Sequence, residues 1–324
     1  MATLSKLSKT AFQSEPAAFE YLEATLWPDG AVCPHCGSIG KATKLQTGPA
    51  KEGKRAARLG LWKCNEKECR KQFTAKVGTV FEHGRIPLHK ILQAVYLLCC
   101  SKKGISSHQL HRVLGITYKA AWFLSHRIRE AMRDGSLAPM GGGGSIIEID
   151  ETAQGRIAGA PKGAARGMGS YGRTVLTLVE RGGGARSFHI EGTTLAQILP
   201  IVRANVGRES AVMTDAASWY KFLKNYADIA SHDRVDHTRY EYVRYEGDKV
   251  ITTNTVEGYY SIFKRGMKGV YQHCGEKHLH RYLAECQSAF KFDPRSASNF
   301  DPFWRRVLAV ALAPSELVGV AETA

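Results

Sequence analysis

Leu88, Ile91, Leu92, Val95, Leu98 and Cys99 recur at intervals of three and four, which predicts an amphipathic helix over residues 88–100. Gly104 breaks that pattern. Ser106 or Ser107 offers an N-cap for a second helix through Leu114, and Gly115 makes the turn after it. A third helix is predicted over 118–132, with Ala121, Leu124, Ile128 and Met132 on one face. Its other face carries Lys119, His126, Arg127 and Arg129. A shorter helical lead-in over 16–26 ends at Trp27-Pro28-Asp29-Gly30. From Ile146 onward the period changes to short strands alternating with helices. Strands are expected over 146–151, 174–180 and 185–191, the last two joined by Gly182–Gly184. A helix follows over 195–206, then a short apolar strand over 211–215 that ends on Asp215. Helices are expected from about Ser218 and from near Thr253, with a further helix beyond.

The change of period divides the chain. Residues 1–30 form the lead-in, and 31–82 a cysteine-bearing basic segment. Residues 83–140 form a helix-turn-helix, 141–145 a linker around four consecutive glycines, and 146–292 an α/β domain. The tail, 293–324, carries Pro294, Pro302 and Pro314 and resists assignment. The fold class is therefore α/β and multi-domain. It comprises the cysteine-bearing segment, a helix-turn-helix, and a mixed-sheet domain whose element order matches a ribonuclease-H-like arrangement.

Composition adds a partner class. The 324 residues include 45 Lys and Arg against 30 Asp and Glu, a formal net charge of +15. That balance makes a polyanion the first partner to consider, although many basic proteins bind none. The longest apolar run, 91–100, is interrupted by Gln93 and falls far short of the ~20 residues a bilayer requires. No cleavable signal pattern opens the chain, so a cytoplasmic, nucleoid-associated location and no membrane partner are expected.

Cys33-Pro-His-Cys36 is a tight knuckle, and Cys64 and Cys69 form a second close pair. Four thiolates in two such pairs suit tetrahedral Zn²⁺, with His35 able to replace one of them. Unligated thiols are the competing reading, and it leaves the CPxC motif and the following Phe73 without a purpose. Cys99, Cys100, Cys274 and Cys286 show no pairing and read as core residues. Residues 41–76 hold eleven Lys or Arg and three Glu. With the basic face of the third helix, this segment reads as a DNA-contacting region. Solvated loops and a three-helix packing unit without DNA are the alternatives.

Asp150 and Asp215 lie at or near strand ends. On the helix from Thr253, Asn254, Glu257, Ser261 and Lys264 share one face, while Val256, Tyr260, Phe263 and Met267 form a buried one. Clustered carboxylates repel and attract divalent cations, and Mg²⁺ suits sparse carboxylate sites completed by substrate phosphate. Glu148 and Glu151 flank Asp150, so spacing alone does not select the ligand. Arg156, Lys162, Arg166 and Arg173 make a glycine-rich basic segment that reads either as a DNA-gripping loop or as a plain insertion.

These motifs, taken in order, resemble the zinc-ribbon insertion-sequence transposases of bacteria, the group numbered fifteen ninety-five with an ISXO-like DDE domain. The likeness runs from roughly residue 19 to 292. It rests on CPHCGS at Cys33, GTVFE at Gly78 and ISSHQLHRVLGITYKAAWFLSHRIR at Ile105. It continues through EIDET at Glu148, MTDA at Met213, and TNTVEGYYSIFKRGMKGVYQHCGEKHLHRYLAE at Thr253. The resemblance implies a DNA transposase that binds the terminal inverted repeats of its element and performs metal-dependent cleavage and strand transfer. It implies Asp150, Asp215 and Glu257 as ligands of two Mg²⁺ (or Mn²⁺), with Lys264 and Arg265 toward DNA. Some relatives place an Asn in the third role, which keeps Asn254 in view. Double-stranded DNA at element ends and target, and a homodimer or larger synaptic complex, are the implied partners. The stretch between Asp215 and Glu257 is longer than in compact DDE enzymes and suggests an extra strand or loop around 240–245. A DNA-binding regulator with an inert catalytic domain, and a structure-selective nuclease of the same fold, are the rival readings.

Overall fold

The computed structural model describes residues 6–46, 58–133, 138–157, 159–162, 171–291 and 305–311. They fall into two compact units. One comprises Met1–Cys100, Ile105–Met132 and Ala297–Ala324, the other Ser101–Gly104 and Arg133–Ser296.

The first unit opens with helix α1 (Glu15–Leu26), whose first turn holds Pro16, where a missing N–H is harmless. A three-stranded antiparallel sheet follows: β1 (Ala42–Lys44), β2 (Trp62–Cys64) and β3 (Gln72–Phe73). Cys33, Cys64 and Phe73 are its buried centre, with Trp27 and Trp62 packed at the rim. A core this small does not hold a sheet by burial alone. Helices α2 (Leu88–Cys100), α3 (Ser107–Leu114) and α4 (Tyr118–Ala131) come next. The Ser106 hydroxyl accepts from the Gln109 N–H to start α3, and Gly115, at φ 59°, ends it in the left-handed region. Thr117 then caps α4 by accepting from the Ala120 N–H. The tail that resisted assignment contributes a helix over 305–311. Val307, Leu308 and Ala311 are buried there, and the Val80 N–H donates to the Ala311 carbonyl.

The second unit is built on a five-stranded sheet. Its elements are β4 (Ile146–Gln154), β5 (Arg173–Glu180), β6 (Ala185–Ile190), α5 (Leu195–Asn205), β7 (Ala211–Asp215), α6 (Leu223–Tyr226) and β8 (Ser231–Val235). A hairpin of β9 (Val243–Glu246) and β10 (Lys249–Thr252) follows, then α7 (Asn254–Gly266) and α8 (Leu279–Lys291). Strand order is β6-β5-β4-β7-β8. The first three strands are antiparallel, and β7 and β8 run parallel to β4. This mixed sheet is consistent with a ribonuclease-H-like domain. Ile147, Ile149, Leu176 and Leu178 pack against α5 and α6 on one face. Val175 and Val179 pack against α7 and α8 on the other. β5 is thus buried on both sides, as a central strand must be.

Three features differ from the pattern-based expectation. The glycine run is a fixed turn within the second unit: Gly142 donates to the Ser210 hydroxyl and Gly143 to the Glu209 carboxylate. Gly141 sits at φ 77°, and a Cβ there would lie 2.3 Å from the Ser210 oxygen. The helix expected from Ser218 is a 3₁₀ turn, Ser218–Tyr220, followed by the single turn of α6. β8, a strand of sequence Ser-His-Asp-Arg-Val, carries no alternation that a pattern could detect. The extra element anticipated around 240–245 is present as the β9–β10 hairpin. Among the described residues, no helix is long and apolar enough to cross a membrane.

One buried contact docks α7 onto β4. The Glu148 side chain is wholly buried and accepts from Arg181 Nε at 2.6 Å. It also accepts from the Thr255 N–H at 2.7 Å, the Val256 N–H at 3.0 Å and the Thr255 hydroxyl at 2.8 Å. A carboxylate thereby caps the positive end of a helix and pairs with a cation together. Replacing Glu148 with Ala should cost about 3–5 kcal/mol by stranding Arg181. A fall in the denaturant midpoint of the second unit would report it; a loss below about 1 kcal/mol would contradict the docking role.

Candidate active site and thiolate cluster

The register brings Asp150 and Asp215 together. β4 pairs with β7 through Ile146↔Ala211 to Glu148↔Met213. Continuing that register by two residues sets Asp150 level with Asp215 on the same face of neighbouring strands, which lie about 4.8 Å apart. Glu257 arrives from the first turn of α7, two residues beyond the Thr255 contact that Glu148 makes. Burial first, and then the charges of Glu151, Asp215 and Glu257, push the Asp150 carboxyl up to about 8. Asp215 is also raised, chiefly by burial, against the Ala217 N–H that donates to it at 3.0 Å and the charge of His237. Glu257 is exposed; it accepts from the Thr253 hydroxyl at 3.0 Å and lies 3.4 Å from His237 Nε2. Asn254, the first residue of α7, is exposed one turn earlier.

The two neighbours of Asp150 are engaged elsewhere. Glu148 is occupied by Arg181 and the α7 terminus. Glu151 lies on the opposite sheet face, where Trp219 Nε1 donates to it at 2.5 Å and the Tyr220 hydroxyl also donates. Burial holds Glu151 at about 7 despite those bonds. His237, Thr253 and Arg181 had no signal in the sequence, because each acts through a partner that lies beyond any local pattern. Trp219 and Tyr220, directly after Asp215, could have been noticed.

The predicted basic contacts divide. Lys119 is exposed on the first turn of α4, and Lys162 and Lys264 are also exposed. Lys264 Nζ lies 5.9 Å from the Tyr260 ring centroid. Arg265 is exposed but donates to the Ser261 carbonyl and hydroxyl of its own helix. Arg127 donates to the Val80 and Glu82 carbonyls and ties α4 to the preceding loop. Arg129 and Arg173 require correction as DNA contacts. Arg129 is 1% exposed and donates to the Ser125 hydroxyl. His126 on the same face is 3% exposed, because α4 is packed on more sides than a two-faced helix would be. Arg173 is buried and donates to the Cys274 carbonyl at 2.7 Å. Arg156 donates to the Pro161 carbonyl, and Arg166 lies outside the described residues.

The four predicted cysteines converge. Their sulfurs all lie within 4.8 Å of one another, with Cys33–Cys69 and Cys36–Cys64 each at 3.7 Å. A tetrahedral zinc with Zn–S near 2.3 Å requires S···S of about 3.8 Å, so the set fits the ion without rearrangement. Burial lifts the Cys33 thiol up to about 12, while the Ser38 hydroxyl and amide bring Cys36 down to about 6. His35 does not join the four ligand atoms.

A four-thiol ribbon and a ribonuclease-H-like sheet bearing clustered acids are the parts of a zinc-ribbon transposase. Residues 13–72 match the transposase zinc-ribbon domain, and residues 143–293 match the ISXO2-like transposase domain. Over 271 residues the chain is 28% identical to an uncharacterized protein in transposable element ISH50 of Halobacterium salinarum. That alignment covers 78% of this chain and 83% of the relative. The chain belongs to the transposase family that joins an N-terminal zinc ribbon to an ISXO2-like DDE domain. The relative is archaeal, so the likeness extends beyond bacterial elements.

Two outcomes follow from these geometries. Changing Cys64 to Ser should release the metal and lower the melting temperature of the first unit, while the transition of the second unit stays in place. Metal analysis with calorimetry checks this, and full metal retention would contradict it. For Asp150 the folded state holds its proton more tightly than the unfolded chain does. Its stability contribution is therefore present below about pH 4 and lost as pH rises through about 8. Without added Mg²⁺, Asp150→Asn should raise stability near pH 8, on the order of 2 kcal/mol once solvent screening of a half-buried group is allowed for. It should change little at acid pH; thermal melts across that range would show the slope or its absence.

Proposed function

We propose that the protein is a DNA transposase that binds the ends of its element, cuts DNA there and joins the freed end to target DNA. The observation that carries this reading is the meeting of Asp150, Asp215 and Glu257, from two strands and a helix, on one side of the sheet. Their chemistry fits hard divalent cations: oxygen donors only, partial burial, and mutual repulsion that a cation relieves. Among the described residues, the four cysteines are the group of three or more whose ligand atoms all lie within 4.8 Å of one another, and the three carboxylates are not part of such a group. Bound Mg²⁺ (or Mn²⁺) would polarise the attacking oxygen and compensate charge on the leaving one. Asp150 and Asp215 supply rigid ligands because strands hold both. Glu257 supplies the third, oriented by Thr253 and His237. The charge of Glu257 reaches Asp150 and raises its carboxyl, which supports Glu257 as the third ligand. Lys264, two turns along the same helix, is free to meet a phosphate oxygen.

End binding is assigned to the first unit. α3, the Gly115 turn and α4 form a helix-turn-helix, in which the first turns of the second helix read the major groove. α4 exposes Tyr118, Lys119 and Phe123 there. The zinc-held sheet adds phosphate contacts. Joining two ends requires that both be held together, which supports a dimer or larger synaptic assembly.

A cleavage and strand-transfer assay on labelled DNA bearing the element's ends tests the proposal, run with Mg²⁺ and with EDTA. Metal-dependent joined products should appear, and Asp150→Ala, Asp215→Ala or Glu257→Gln should abolish them while end binding persists. Binding without cutting under any divalent metal would make the protein a regulator. Cutting without joined products would make it a nuclease.

A further inference from the structure

The segment between the second and third acids presents aromatic rings to solvent beside the acid cluster. Tyr240 is 84% exposed and Tyr242 is 53% exposed. Tyr240 closes the 3₁₀ turn His237–Arg239 with φ 60°, a left-handed conformation that Gly or Asn adopts at far lower cost. A bulky ring held outward in a strained backbone is a reason to look for function. The Tyr242 ring lies 5.2 Å from the His237 ring, and His237 in turn contacts Glu257. The Thr252 hydroxyl donates to the Tyr242 carbonyl at 3.0 Å, which fixes this turn two residues before α7 begins. The Tyr242 ring therefore sits one side chain away from the proposed third acid, and Tyr240 stands two residues before Tyr242 in the same turn.

Three of the cations on this segment and its hairpin are paired with acids. Arg239 pairs with Asp236, Arg244 with Glu241 and Glu246, and Lys249 with Asp233. A surface meant to grip phosphates leaves cations unpaired; here these three are paired, and ring faces are displayed beside them. Ring faces recognise the flat faces of nucleobases, which a paired duplex hides and an unpaired strand offers.

We propose that Tyr240 and Tyr242 form a stacking platform for unpaired bases flanking the phosphodiester held at Asp150, Asp215 and Glu257. This inference rests on the transposase reading of those acids. It makes the β9–β10 insertion a device that favours DNA ends already frayed or opened next to the cut. Tyr245 supplies an internal control. It is 73% exposed, but it pairs with Val250, whereas the adjacent Arg244–Ile251 pair carries the side chain that enters the core. Tyr245 thus occupies the other face of the hairpin.

The test uses the full chain, without divalent metal beyond its zinc. Its probes are two duplexes of one arbitrary sequence, one fully paired and one with an unpaired flank carrying 2-aminopurine. The wild type should bind the unpaired-flank duplex about tenfold more tightly, a size base–aromatic stacking supports, and should quench the 2-aminopurine. Tyr240→Ala with Tyr242→Ala should erase both effects, the paired Phe changes should keep them, and Tyr245→Ala should leave them intact. Circular dichroism establishes that each variant is folded. Equal affinity for the two duplexes, or an unchanged preference in the double Ala variant, overturns the platform and leaves the transposase reading standing. Failure to bind either duplex overturns both. A shift from dimer to monomer in the double Ala variant, with base preference retained, makes the rings a self-association surface and overturns the platform.

Discussion

The geometry of the second unit hangs on a single buried ion pair. Glu148 and Arg181 meet at 2.6 Å, and the remaining capacity of the carboxylate is filled by the first N–H groups of α7. Arg181 in turn donates to the Val250 and Thr252 carbonyls of β10. Two side chains thereby join the central strand, the end of β5, the hairpin and a helix. A buried pair of this kind adds little net stability over an apolar isostere, but breaking it strands an uncompensated buried charge. What it secures is position. Glu148 precedes Asp150 by two residues and Thr255 precedes Glu257 by two, so the separation of the proposed ligands is inherited from this contact.

The site that depends on it is unfavourable by itself. Asp150 is held near 8 and Glu151 near 7, both far above ordinary carboxylates, and Asp215 is raised as well. Burial is the largest cause in each case. A fold that gathers like charges in a low-dielectric notch gives up stability there and must recover it elsewhere. The recovery is visible on both faces of β5, where Val175, Leu176, Leu178 and Val179 are fully buried. Acid cluster and apolar strand lie on the same sheet, and the second makes the first tolerable.

Much of this was legible in the chain alone, for specific reasons. Helix α2 was readable because its apolar positions keep one period, and α3 because a capping serine and a left-handed glycine bound it. Asp215 was readable because it ends an apolar run. The thiols were readable because knuckle spacing is a local constraint. What stayed hidden depends on partners distant in sequence. Glu148 and Asp150 share one face of β4 and Glu151 takes the other, and their roles differ by what waits there: an arginine, a shared notch, or Trp219 with Tyr220. Arg173 and Arg129 looked like surface cations because a pattern records residue type and not the layer that later covers it. The β9–β10 hairpin was foreseen from length, while its exposed tyrosines drew no notice, since a tyrosine in sequence reads as core.

This last point bears on how the +15 charge should be understood. If it acted as one diffuse field, every arginine would contribute equally to DNA affinity. The structure divides the cations into three kinds. Arg129, Arg173 and Arg181 are internal braces; Arg239, Arg244 and Lys249 are neutralised by neighbouring acids. Lys119 and Lys264 remain on exposed helical faces. Only cations free to release counterions from DNA set the salt dependence of binding. The slope of affinity against salt is therefore governed by the exposed cations and not by the internal braces. Arg239, Arg244 and Lys249, already paired with acids, contribute less to it than exposed cations without such partners.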